Sequence, residues 1–140
     1  MLDLSSLQVD SSKIIDVVIT DPRTGNPLMD AEGNEAIIHV VGQDSDAYKR
    51  VQRGQQNKRL NQMSRSRSVK LNADDLEAEA LELLVACVKS WENISLKGTV
   101  LECVPDNVRT LFKAIPIVKE QVDFAISDRV GFLGNLKTNS

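Results

Sequence analysis

Two β-branched runs near the start of the chain are separated by a polar stretch, and this pattern predicts a β-hairpin. The runs are KIIDVVIT, from Lys13, and AIIHVV, from Ala36, and strands favour residues of this kind. Between them, DPRTG from Asp21 has Asp, Pro and Gly where a type I turn followed by a left-handed residue needs them. We therefore expect an antiparallel hairpin with a long loop, preceded by a polar lead.

The next segment is polar and strongly basic, with a helix start signal at its beginning. GQDSDAYKRV offers Asp44 or Ser45 as an N-cap, with Asp46 in the first turn, so a helix is predicted from there to about Met63. Its apolar content is too thin for a core element. SRSRS after it is typical of a loop or flexible joint.

The last segment has the strongest helical periodicity. Asn72 is a candidate cap, and acidic residues crowd the first turns that follow it. The predicted apolar face of this helix consists of Leu76, Ala80, Leu83, Leu84, Cys87, Val88 and Trp91. ENISLKGTVLECV then predicts a connector with an extended piece. Pro105 suits the first turn of another helix. Pro116 either bends that helix or starts a new one.

Together these segments predict one α+β domain, with an N-terminal β-hairpin followed by a mostly α-helical bundle of three to four helices. Its parts are the lead and hairpin (1–43), the basic helix and joint (44–68) and the helical half (69–140). A chain of 140 residues can bury about 68% of its unfolded surface, enough for a core without disulfides. Cys87 and Cys103 lack metal-site or CxxC spacing, so we expect both to be small buried residues in a reducing cytoplasm.

No segment predicts export or membrane insertion. The acidic N-terminus lacks the basic and apolar regions of a signal peptide, and no apolar run approaches the roughly 20 residues of a membrane span. We therefore expect a soluble protein without a membrane partner.

Charge is distributed very unevenly along the chain. The stretch from Tyr48 to Lys70 holds eight Lys or Arg and no acid, whereas the remainder carries nine Lys or Arg against twenty Asp or Glu. Such a block can bind phosphates in a salt-dependent way. However, only Tyr48 is available for base stacking, and the net charge of −3 is unlike that of most nucleic-acid binders. We favour a cationic helix that faces protein, with nucleic acid as the alternative.

The residues offer little for catalysis or metal binding. His39, the one histidine, lies among β-branched residues and is expected to belong to a strand. GNPLMDAEGNE lacks the alternating oxygen ligands of a calcium loop, and no phosphate-binding glycine motif is present. Ser45 has no base beside it and is better explained as a cap. We expect no enzyme activity, no cofactor and no metal.

The order of features resembles that of the tail assembly chaperones of long-tailed bacteriophages, from about Ile14 to Leu133. The resemblance depends on GQDSDAY between strand and helix, on a Trp at a predicted helix end followed by an extended piece containing Gly98, and on PDNVRTLFKAIPIVKEQV. It implies a nonstructural factor in the host cytoplasm that binds the tape-measure protein, keeps it soluble and promotes tail-tube assembly.

The same resemblance implies a possible second form of the protein. Many such proteins are made in two lengths by a programmed frameshift, and the longer form would contact the major tail-tube protein. The polar ending GNLKTNS would then be the end of the short form.

A chaperone of helices needs apolar grooves with polar rims. The candidate groove residues are Trp91, Phe112, Ile117 and Phe124, with the alternative that all four are core. The candidate cations, which would meet acids on the client or on another copy in a homo-oligomer, are Lys49, Arg50, Arg53, Lys58 and Arg59. The alternative functions are a structural tail-completion or neck protein of the virion and a nucleic-acid binder using residues 49–70.

Overall fold

A three-stranded antiparallel sheet and four helices make up most of the computed structural model, which describes residues 1–65 and 72–134. The strands of the sheet are β1 (Ile15–Val18), β2 (Ile37–Val40) and β3 (Val88–Glu92), and β4 (Ser95–Leu96) pairs with β5 (Thr99–Val100). The helices are α1 (Asp46–Arg65), α2 (Ala73–Cys87), α3 (Pro105–Ala114) and α4 (Pro116–Ser127). The predicted α+β class, with a hairpin followed by helices, is confirmed.

The predicted hairpin forms with β1 and β2 antiparallel, Ile15 opposite Val40. Its long loop starts with the predicted turn, in which the amides of Thr24 and Gly25 donate to the Asp21 carbonyl at 3.2 and 2.7 Å. Gly25 has a φ of 74°, which glycine adopts without the steric cost of a side chain. The turn chemistry of the sequence therefore predicts this part of the chain correctly.

The sheet has a third strand that the periodicity did not predict. Helix α2 ends at Cys87, whose carbonyl accepts the Val41 amide at 2.9 Å, and the chain continues directly as β3 beside β2. Trp91 lies opposite Ile38 in this strand, so its placement, and that of Val88, on the helix was wrong. Strand β2 has backbone groups on both edges that need partners, and a helical spacing pattern contains no information about them.

The apolar face of α2 also differs from the prediction. Its buried side chains are Leu81, Leu84, Val85 and Cys87. Leu76, 48% exposed, and Ala80 are on the surface, and α2 packs on the polar helix α1, which bonds to Glu79 through Gln55 and Arg59. The predicted cap is confirmed, since the Asn72 side chain accepts the Asp75 amide at 2.8 Å.

Helix α1 has no buried residue, as expected for so polar a segment. Ser45 is its cap, because its hydroxyl accepts the Tyr48 amide at 3.2 Å. The hydroxyl also donates to the Gly42 carbonyl at 2.6 Å. The joint predicted at 64–68 lies largely outside the described residues.

The core lies between the inner face of the sheet and helices α2, α3 and α4. Pro105 and Pro116 each begin a helix, so Pro116 starts a new one. The largest fully buried side chains are Phe112, Phe132, Ile38, Ile126, Val40, Val122 and Cys87.

Burial raises the pKa of the Cys87 thiol to about 11, as expected for an inert cysteine. Cys103 is only half-buried. No helix in the described ranges is long and apolar enough to cross a membrane.

Candidate partner-binding surfaces

A cleft of about 650 Å³ opens between α2 on one side and α3 and α4 on the other. We call it the helical cleft, and its lining residues are Asp74, Glu77, Ala78, Leu81, Glu82, Arg109, Phe112, Lys113, Pro116 and Lys119. Ala78 and Leu81 of α2 and Pro116 of α4 supply apolar surface. The cleft therefore combines an apolar interior with a charged rim.

The two sides of the helical cleft carry opposite charges. Asp74 and Glu77 lie on the α2 side, while Lys113 and Lys119 lie on the opposite side. No ion pair between these four side chains occurs within the described part of the chain. Lys113 also helps to lower the pKa of Glu82, so a partner that enters the cleft would meet two acids on one side and two lysines on the other.

An ion pair joins the two sides of the cleft at one place. Arg109 donates to Glu82 through two nitrogens, at 2.8 and 2.6 Å, and to Asp106 at 2.8 Å. The Arg109 hydrogen bonds lower the pKa of Glu82, while Glu82 raises that of Arg109. A two-pronged bond of this kind fixes geometry more than a single one does, so it holds α3 against α2.

A second depression, which we call the edge groove, lies between β1 and α4 and has a volume of about 480 Å³. Its lining residues are Asp16, Val17, Val18, Pro22, Ile117, Glu120, Gln121, Phe124 and Ala125. Phe124 is 74% exposed and Ile117 is 46% exposed. Large apolar side chains so exposed at one place are typical of an interaction surface.

The four predicted groove residues do not form one surface. Ile117 and Phe124 line the edge groove together. Phe112 is only 1% exposed, so it is a core residue that touches the base of the helical cleft, in agreement with the alternative given for it. Trp91 is half-buried beside the β4–β5 hairpin, and its indole nitrogen donates to the Leu101 carbonyl at 2.9 Å.

The predicted cations divide into two groups. Lys49, Arg50, Arg53 and Lys58 are exposed along α1. Arg59 instead donates to Glu79 of α2 at 2.8 Å, so it links α1 to α2 within the chain, and its contact with a partner stays a prediction. Part of the basic block thus balances acids of the same molecule.

His39 lies in a strand, as predicted, and links all three strands of the sheet. One ring nitrogen is 2.6 Å from Asp16 of β1 and the other is 3.2 Å from Glu92 of β3. Hydrogen bonding to Asp16, and then to Glu92, raises the pKa of His39 against the opposing effect of burial. With both nitrogens occupied by carboxylates, the ring serves as a cross-strand connector in this geometry.

The helical cleft was missed at the sequence level. Its residues follow helical spacing on α2 and α3, for example Ala78, Leu81 and Glu82, but spacing on one helix does not say which other helix it meets.

No group of three or more His, Cys, Asp or Glu among the described residues is placed to hold a metal ion. A scan against protein-family models and searches of curated proteins and solved structures found no match.

Proposed function

We propose that this protein is a phage tail assembly chaperone that holds a helical segment of the tape-measure protein in the helical cleft. The observation that carries the proposal is the cleft itself, with apolar surface between two helical walls and opposite charges on its two sides. The resemblance described above supports the same role and supplies the identity of the client.

The cleft suits an amphipathic helix because such a helix offers apolar anchors every three or four residues. Apolar atoms of Ala78 and Pro116, and the small exposed part of Leu81, would contact these anchors. Lys or Arg on one flank of the client would meet Asp74 and Glu77, and acids on the other flank would meet the two lysines. This charge pattern selects one orientation of the client helix.

Filling the cleft tests this proposal. Ala78 is exposed on α2 inside the cleft, and Ala80 is exposed on the same helix but does not line it. We expect Ala78→Trp to lower the yield of soluble, co-purified tape-measure protein at least tenfold upon co-expression. Ala80→Trp should leave the yield unchanged, and both variants should melt within a few degrees of the wild type. Equal capture by both variants at matched stability would rule out the cleft as the client site.

The exposed cations of α1 favour nucleic-acid binding as a second candidate function. Lys49, Arg50 and Arg53 lie within five consecutive residues of α1, and such a cluster can contact phosphates. A mobility-shift titration of DNA and RNA from low to high salt tests this. Binding that weakens with salt and disappears in Arg50→Glu/Arg53→Glu would support it.

Finding the protein in purified virions would instead indicate a structural tail component.

A further inference from the structure

Strand β1 is an edge of the sheet, and its hydrogen-bonding directions follow from its pairing with β2. The Ile19 amide donates to the Ala36 carbonyl at 3.0 Å. Because antiparallel strands alternate between residues that face the partner and residues that face away, Val17 also faces β2. The backbone groups of Asp16, Val18 and Thr20 therefore point outward, toward the edge groove.

A side chain already occupies one position on this outer edge. The Thr20 amide donates to the Gln121 side-chain oxygen at 2.9 Å, and the Gln121 side-chain nitrogen donates to the Thr20 carbonyl at 2.8 Å. This pair of bonds is the pair that a residue of a neighbouring strand would make. The next outward groups along the edge, those of Val18 and Asp16, have no such partner in the described residues.

The surface beside this edge offers apolar contact and negative charge. Phe124 and Ile117 project into the groove with 74% and 46% of their surface exposed. Asp16 and Glu120 are both lining residues, and the described lining includes no Lys or Arg. A strand laid along β1 would therefore place alternate side chains against an aromatic ring and near two carboxylates, of which Asp16 also contacts His39 at 2.6 Å.

We propose that β1 and the edge groove bind an extended segment of a partner protein as an added strand. Main-chain bonds to Val18 and Asp16 would supply the pairing, and side chains at alternate positions would supply specificity. The segment would carry a large apolar residue against Phe124 and a Lys or Arg near Asp16 and Glu120. A second copy of this chain fits less well, because pairing two β1 edges brings the acids of both copies together.

This inference depends on the edge groove alone and is separate from the helical cleft, so either can fail without the other. Its test uses a fluorescent eight-residue peptide that alternates lysine with leucine or valine. A second peptide has the same side chains but methylated backbone nitrogens on one edge, and a third has glutamate in place of lysine. Binding to the full chain is measured by fluorescence anisotropy.

The protein variants distinguish binding at the edge groove from nonspecific binding. Phe124→Ala removes the groove ring, and Val130→Ala is the matched control, because Val130 is also 74% exposed but does not line the groove. Glu120→Lys reverses one rim charge. We expect Phe124→Ala, Glu120→Lys, backbone methylation and the glutamate peptide each to weaken binding at least fivefold, with no change for Val130→Ala.

Three results would overturn the proposal. The first is no binding of the lysine peptide, and the second is equal binding of the methylated peptide, which would show that no strand is added. The third is concentration-dependent dimerisation in analytical ultracentrifugation that Phe124→Ala abolishes, which would assign the edge to a second copy.

Discussion

Replacing Gly42 with alanine should destabilise the fold, because the ring of Phe132 occupies the space that a β-carbon would need. An added β-carbon would lie 2.9 Å from two ring carbons and 3.1 Å from a third, whereas carbon atoms pack best at about 3.5–4.0 Å. The ring or the backbone must therefore move by roughly half an ångström to one ångström. Phe132 is fully buried, so overpacking of this kind should cost about 1–3 kcal/mol.

Urea titration followed by circular dichroism measures this cost, and a double-mutant cycle identifies its origin. A thermal melt should report the same loss, since for a domain of this size the melting temperature falls by about 2–4 °C per kcal/mol of lost stability. Phe132→Leu is destabilising by itself but removes the ring edge, so Gly42→Ala should cost less in that background. Additive effects of the two substitutions, or a Gly42→Ala protein within about 0.5 kcal/mol of the wild type, would refute the steric explanation.

Three further predictions concern polar contacts. His39 has a raised pKa, so its stabilising effect is complete below its unfolded pKa of about 6.5 and is lost as the pH rises through the folded value. Urea titration should show a larger deficit for His39→Gln at about pH 6 than at about pH 9. Ser45→Ala should cost about 1–2 kcal/mol, because the buried hydroxyl caps α1, and Ser45→Thr should recover part of this in the same assay. Arg59→Met should cost under about 1 kcal/mol, because its pair with Glu79 is partly exposed, and a gain in stability would contradict this.

Local sequence signals predicted those parts of the fold whose causes are local. The turn at Asp21, the Asn72 cap and the helix start at Pro105 form as expected. Ser45, rather than Asp44, caps α1, and Pro116 starts a new helix rather than bending the one before it. Each depends on bonds or dihedral restrictions within a few residues. Which candidate site residues are exposed depends instead on elements that are distant in sequence.

Trp91 and Arg59 show why the remainder could not be predicted. The helical spacing of apolar residues continues to Trp91, yet this segment forms β3, because it pairs with the backbone groups on the second edge of β2. Arg59 belongs to the basic block for which a partner is expected, yet it bonds to Glu79 of α2 within the same chain. Both outcomes depend on which elements meet, and the spacing of residues along the chain does not encode that.

The sequence by itself determined the α+β class, the residues at which several helices begin, and the uneven charge. The reason is that turn chemistry, capping and apolar periodicity depend on residues close together in the sequence. Only the tertiary structure decided that Ile117 and Phe124 share a groove with β1, that Phe112 is core, and that acids and lysines face each other across the helical cleft. The physical reason is that a side chain becomes buried or available only when another element, distant in sequence, packs against it or leaves it uncovered.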